Sequence, residues 1–205
     1  MKNLIAIITV FLGTLLIQAQ QSNSFGVRAG TTITALRMID DSGTSELNAD
    51  PSFYAGGFWE HSLNNNFGLQ IGASFINLDA KIDFSADLYG EEAQKIDMNL
   101  NYISVPIAAK YYANKSFSVM GGFNFDVLMS SKVKTIYKGE TETEDLKEQL
   151  KPTSISTFVG AEYILYKGLF AEAKYNFGLS DIDKDKEDGV KIKLNYFQLG
   201  LGYKF

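Results

Sequence analysis

An all-β fold of eight antiparallel strands closed into an up-and-down barrel is predicted by three features of this 205-residue sequence. Apolar side chains recur at every second position in one segment after another. No segment from residue 24 onward carries a helical stripe, and short turns alternate with long charged connections. Successive side chains of a strand point to opposite faces, so a period of two gives each segment one apolar face and one polar or glycine face.

The first strand, at about 24–36, sets Phe25, Val27, Ala29, Thr31 and Ile33 against Gly26, Arg28, Gly30 and Thr32. A second follows at 52–62. The third, 67–82, alternates Phe67, Leu69, Ile71, Ala73 and Phe75 with Gly68, Gln70, Gly72 and Ser74. The fourth covers 99–112 and holds Pro106 at mid-strand, where a ladder N–H is lost, so a bulge or a lumen-facing kink is expected there. The fifth, 117–132, opposes Val119, Phe123, Phe125, Val127 and Met129 to Ser118, Asn124, Asp126 and Ser130. A sixth spans 153–165. The seventh, 169–179, opposes Leu169, Ala171, Ala173, Tyr175, Phe177 and Leu179 to Glu172, Lys174, Asn176 and Gly178. The eighth, 190–205, ends with Phe197, Leu199, Leu201, Tyr203 and Phe205 on one face. Residues 63–66, 113–116 and 166–168 have turn chemistry, whereas 37–51, 83–98, 133–152 and 180–189 are long loops. Four long and three short connections put both chain ends on the short-turn side, as a closed meander requires.

Which face lies inside decides the class. A soluble lipocalin-like barrel turns its apolar face inward, and a membrane barrel turns it toward lipid. The four long loops hold 19 of the 24 acids against 8 bases, a net charge of −11, which suits water on one side of a membrane. Outward aromatics also gather at the strand ends. Phe25, Trp59, Phe67, Tyr111, Phe117, Tyr163, Tyr203 and Phe205 lie toward the short turns, and Phe53, Phe75, Phe177 and Phe197 toward the long loops. Two interfacial girdles are the expected meaning. The other face then fills the lumen with Arg28, Glu60, Lys110, Asp126, Glu162, Glu172, Lys174 and Lys204. Four bases and four acids inside a barrel only wide enough for side chains are expected to pair, with glycines making room for the long basic arms. That predicts a plugged lumen; a small porin-like channel and a soluble lipocalin-like binder are the alternatives.

Residues 1–19 read as a signal peptide: Lys2 supplies a basic start, Leu4 to Ile17 is apolar, and Ala19 offers a small cleavage residue. Fourteen apolar residues (4–17) are short for a transmembrane helix, which needs about 20. Cleavage leaves residues 20–205 as one barrel domain. With no cysteine there is no disulfide framework or zinc-thiolate site, and a net charge of −5 argues against nucleic acid as partner.

Several segments resemble one family. Asn101-Tyr102-Ile103-Ser104-Val105-Pro106-Ile107-Ala108-Ala109-Lys110-Tyr111 is similar to the "Y-x-x-[VI]-P-[LI]" strand of the PorT-like, or porin-like, outer-membrane beta-barrel proteins. Residues 121–132 resemble its next strand, 175–182 its "Y-x-x-G-L-x-x-I" strand and loop, and Gly200 to Phe205 its closing strand. The terminal strand also resembles the signal that such barrels present to the assembly machinery of Gram-negative cells. The resemblance implies an eight-stranded barrel in the outer membrane, contact with outer-membrane lipids and lipopolysaccharide, and in some members a link to secretion. The sequence as a whole is read as a monomeric barrel with no cofactor and no enzymatic site.

Remaining candidates have plainer readings. His61, the only histidine, sits at the short-turn end without a Ser/Asp partner set and reads as an interfacial side chain. The run 181–189 places acids alternately but has Lys186 where a calcium loop needs glycine and Ile192 where it needs glutamate, so it reads as a solvated loop. Residues 140–151 form a charged loop with room for one or two helical turns, Leu146 and Leu150 lying at i, i+4.

Overall fold

The computed structural model describes residues 23–40, 43–47, 49–84, 94–137, 140–184 and 191–205; the expected signal peptide lies outside them. The strands are β1 (Asn23–Asp40), β2 (Gly43–Leu47), β3 (Ala49–Ser62), β4 (Phe67–Phe84) and β5 (Gln94–Tyr112). They continue with β6 (Phe117–Tyr137), β7 (Glu140–Asp145), β8 (Thr153–Tyr166), β9 (Leu169–Gly178) and β10 (Lys191–Lys204). Eight of them form an antiparallel ring in the order β1-β3-β4-β5-β6-β8-β9-β10. β10 closes onto β1 from Gly26↔Lys204 to Ile39↔Lys191, so the ring has no free edge there. β2 and β7 are short return strands on β1 and β6.

The long connections are therefore shorter than the sequence suggests. Ladders run on through Phe84↔Gln94 and Tyr137↔Glu140, and residues expected in loops extend the hairpins beyond the ring. In 140–151, expected as a charged loop with room for one or two helical turns, Glu140–Asp145 form a strand instead. A single turn remains, closed by Leu150 N donating to Leu146 O at 3.2 Å. Residues 185–189 of the acidic run lie outside the described residues.

The short turns follow local chemistry. Asn64 Oδ1 accepts from the N–H of Asn66 and of Phe67, and Asn114 Oδ1 accepts from those of Ser116 and Phe117, all at 2.8–2.9 Å. Lys167 (φ 38°) and Gly168 (φ 88°) form a hairpin turn with two positive φ angles, which suits the right-handed strand twist.

The apolar face is outside: Val27, Phe67, Ile71, Phe123, Phe125, Leu199 and Leu201 are each 41–55% exposed. Outward apolar residues span Phe67–Phe75 on β4 and Phe117–Met129 on β6. At about 3.3 Å per residue and about 40° of tilt these stretches rise about 20 and 30 Å, bracketing the apolar band of about 25 Å in membrane barrels. Above the band the outward face turns polar. Asn77 Nδ2 donates to Asn101 Oδ1 (2.9 Å), Asn101 Nδ2 to Asn99 Oδ1 (2.8 Å) and to Ser130 Oγ (2.9 Å), and Asn99 donates to Asp79.

Two irregularities shape the wall. The β5–β6 register shifts at Asn101/Tyr102, a bulge that turns Ser131 inward and Lys132 and Lys134 outward. Of the bulge or lumen-facing kink expected at Pro106, the bulge does not form. Pro106 faces the lumen and pairs with Asn124, and on the β4 side the ladder simply lapses at 72–73 opposite 105–106 with its register unchanged. Losing one N–H interrupts the ladder without inserting a residue.

Candidate functional site

Every sequence-predicted lumen residue lies inward and is buried, except Lys204, which is half-buried near the short-turn mouth. The register brings two acids face to face, Glu162 on β8 opposite Glu172 on β9. Like charges directly opposite are unfavourable, so each carboxylate needs cations. Lys110 Nζ sits 2.9 Å from Glu60 Oε2 and 2.7 Å from Glu162 Oε2. Lys204 Nζ sits 3.1 Å from Glu60 and 2.6 Å from Glu162 Oε1. These four side chains form a neutral ring across the lumen. Glu172 has its own pair of cations, Lys174 Nζ at 2.9 Å and Arg28 Nη1 at 3.5 Å.

Three residues that the sequence reading left out complete the network. Gln70 links its halves, accepting from Arg28 Nη1 (3.1 Å) and donating to Glu60 Oε2 (3.0 Å). Tyr112 OH donates to Glu60 Oε1 (2.9 Å), and Tyr54 OH to Glu172 Oε1 (2.7 Å). Their signal was parity, since each shares the inward face of its strand with Lys110, Glu60 or Ser74. Phe58 and Phe170 meet edge to face at 5.8 Å between the clusters, with Arg28 over the first ring and Lys204 over the second.

The expected pairing does not extend to Asp126. Among the described residues ion pairs join the other seven charges, whereas Asp126 has none and lies against the Ser104 and Ser156 hydroxyls. It sits one level higher than the ionic clusters, among serines, and no basic arm reaches it. Basic arms account for only some of the lumen glycines. Gly72 and Gly160 give room to Arg28 and Lys174, but a Cβ at Gly200 would lie 2.0 Å from Tyr54 OH and one at Gly202 2.2 Å from the Phe170 ring. Aromatic rings, as much as basic arms, need the space.

Above the charges, Asn124 Nδ2 donates to Ser156 Oγ (2.9 Å) and Asn176 Oδ1 (2.8 Å). Then the inward face becomes apolar, which the sequence reading missed: Tyr54, Ile76, Leu78, Leu100, Tyr102, Leu128, Leu194 and Tyr196 cluster inside the barrel. Leu150 and Ile182 cap them from two different connections, 7% and 2% exposed. The connections are tied by Lys151 N donating to Ile182 O (2.8 Å) and Lys184 N to Gln149 O (3.1 Å). At the other end a cavity of about 740 Å³ opens between the short turns, with Glu60, Tyr112, Glu162 and Lys204 in its lining. His61 stands beside that end, its Nδ1 2.8 Å from Asn23 Oδ1 and its ring stacked on Trp59.

Comparison with known proteins agrees with this geometry. The family model of the outer membrane protein beta-barrel domain matches residues 18–184. Ail, the attachment invasion locus protein of Yersinia pestis, is similar in structure at 19% identity and TM-score 0.53, over 91% of this chain and 100% of its own. Its complex with the heparin analogue sucrose octasulfate matches at 21% identity and TM-score 0.52, over 90% and 100%. Neisserial surface protein A matches at 14% identity and TM-score 0.47, over 90% and 100%. No curated protein matches the chain in sequence. At these identities the structural likeness concerns the fold.

Proposed function

This chain belongs to the outer membrane protein beta-barrel domain family, and on that footing we propose that it is a sealed, non-enzymatic, monomeric barrel whose acidic loops meet a partner outside the cell. One observation carries the reading. The ring of Glu60, Lys110, Glu162 and Lys204 crosses the lumen below an apolar cap that includes Leu150 and Ile182, and both leave little room for solute. With the interior committed to packing, recognition falls to the loops.

Those loops carry a net charge of −11, so their partner presents basic groups. The polysulfated sugar bound by Ail has the wrong sign for them. The PorT-like motifs at 101–111, 121–132, 175–182 and 200–205 favour an accessory role in secretion. Residues 1–19 serve as the export signal. Phe197, Leu199, Leu201, Tyr203 and Phe205 serve as the assembly signal read by the barrel assembly machinery. Once inserted, the apolar band rests among outer-membrane lipids and lipopolysaccharide.

Single-channel recording in planar bilayers tests the seal. Wild type and Arg28→Ala are both expected to give conductance near zero, the variant with a lower melting temperature. A stable open channel in the wild type overturns the reading in favour of the small porin-like alternative.

A further inference from the structure

One of the two clusters of lumen charges does not balance. Arg28 and Lys174 both turn to a single carboxylate, Glu172, at 3.5 and 2.9 Å, which leaves one positive charge in excess. Glu60 and Glu162, nearer the short turns, are already shared by Lys110 and Lys204. Asp126 lies against the Ser104 and Ser156 hydroxyls. Both excess-bearing cations are buried, with side chains 2% and 5% exposed. Beside them is a void with room for about one water; Arg28, Lys174, Ser74 and Gln198 line it together with apolar groups, and no carboxylate is among its lining residues. Arg28 Nε and Ser74 Oγ are buried without a hydrogen bond among the described residues, an arrangement that native interiors rarely keep. Gln198 Oε1 accepts from Asn176 (3.4 Å), so Gln198 has its amide N–H groups left to offer. The other polar groups of the wall are committed elsewhere, Tyr54 to Glu172, Ser104 to Asp126, and the Asn124 amide to Ser156 and Asn176.

We propose that this void is a binding site for one small monovalent anion, chloride being the fitting one. An excess cation in the interior is costly unless a counter-charge meets it, and a water molecule brings none. The groups that the wall has left to offer are donors: a guanidinium, an ammonium with hydrogens beyond the one given to Glu172, a serine hydroxyl and a side-chain amide. Space for about one water admits a single-atom anion and excludes sulfate, phosphate or a carboxylate. On the sealed-lumen reading, the anion enters as the barrel folds.

The full chain is refolded into phospholipid vesicles in sodium chloride or in sodium methanesulfonate at equal concentration, and melted in the same salt. Methanesulfonate carries the same charge but exceeds the void. Chloride is expected to give the higher melting temperature, by at least about 3 °C. Lys174→Met leaves Arg28 and Glu172 as a neutral pair, and there the two salts are expected to give one value. Equal melting temperatures for the wild type overturn the site, as does a chloride advantage that survives in Lys174→Met. Should Lys174→Met fail to refold, Ser74→Ala keeps both cations and removes one donor. It is expected to raise the chloride concentration for half-maximal stabilisation about fivefold or more, and no change refutes the proposal.

Discussion

The two ends of the lumen are filled by opposite means. Toward the short turns the filling is ionic, with Lys110 wholly buried between Glu60 and Glu162 and Lys204 reaching both from the mouth. Toward the loops it is an ordinary apolar core, in which Ile76, Leu78, Leu100 and Leu128 pack beneath Leu150 and Ile182. Apolar packing is non-directional and tolerates the loss of a group with partial collapse. Buried ions are directional and interdependent, because removing one leaves its partners charged and unpaired. The ionic end is thus rigid and intolerant. The apolar end, closed by two connections that meet each other, is where rearrangement costs least.

The largest effect is expected where that interdependence is greatest. Glu162→Ala takes the shared acid from Lys110 and Lys204 and leaves the ring with an excess positive charge. Loss of about 3–5 kcal/mol is expected from urea unfolding in vesicles. The double change Glu162→Leu with Lys110→Met removes both charges and should recover much of it. A single-variant loss below about 1 kcal/mol, the range of exposed pairs, means that solvent already compensates the ring.

Leu150→Ala tests the apolar end. Deleting a buried Leu side chain typically costs about 2–5 kcal/mol, and a cap held by connections should sit at the low end, about 2. Hydrogen exchange at Lys151 and Lys184, whose N–H groups tie the two connections, is expected to quicken while amides of β5 and β6 around the ring keep their protection. Quickening throughout the barrel would mean that the two ends share one cooperative unit.

These two ends also differ in how legible they were. In β4 the run Gly68, Gln70, Gly72, Ser74 against Phe67, Leu69, Ile71, Phe75 announces which face meets lipid. Two residues on, Phe75-Ile76-Asn77-Leu78 puts apolar groups on the inward face and a polar one outward, and alternation no longer says which is which. The reversal is physical: above the hydrocarbon the outward face meets water and the interior needs apolar filling. Parity therefore placed the charges inside but could not give their partners. Glu162 and Glu172 stand opposite because of strand register, and Asp126 stands apart for the same reason. Leu150 was hidden among Glu140, Glu142, Glu144 and Glu148, because only its meeting with Ile182, thirty-two positions away, buries it. The β6 bulge and the ladder gap at Pro106 depend on neighbouring strands, which a period of two does not encode.

The smallest effect isolates environment from charge. Lys151 Nζ lies 3.5 Å from Asp181 Oδ2 on the capping connections, with side chains 31% and 17% exposed, and donates to the Asp181 carbonyl at 2.9 Å. It is the same pairing of ammonium and carboxylate as Lys110 with Glu162, but solvent reaches it. In water the attraction is screened, and holding a long side chain in one geometry costs entropy, so exposed pairs contribute about 0–1 kcal/mol. Lys151→Ala is accordingly expected to lower stability by no more than about 0.5 kcal/mol, with the difference shrinking as salt is raised from low to about 1 M. Glu162→Ala should keep most of its deficit over the same salt range, since buried charges are screened far less. If both variants responded to salt alike, the ring would be reachable by ions from the short-turn cavity, and the contrast between a dry ionic end and a wet surface pair would be lost.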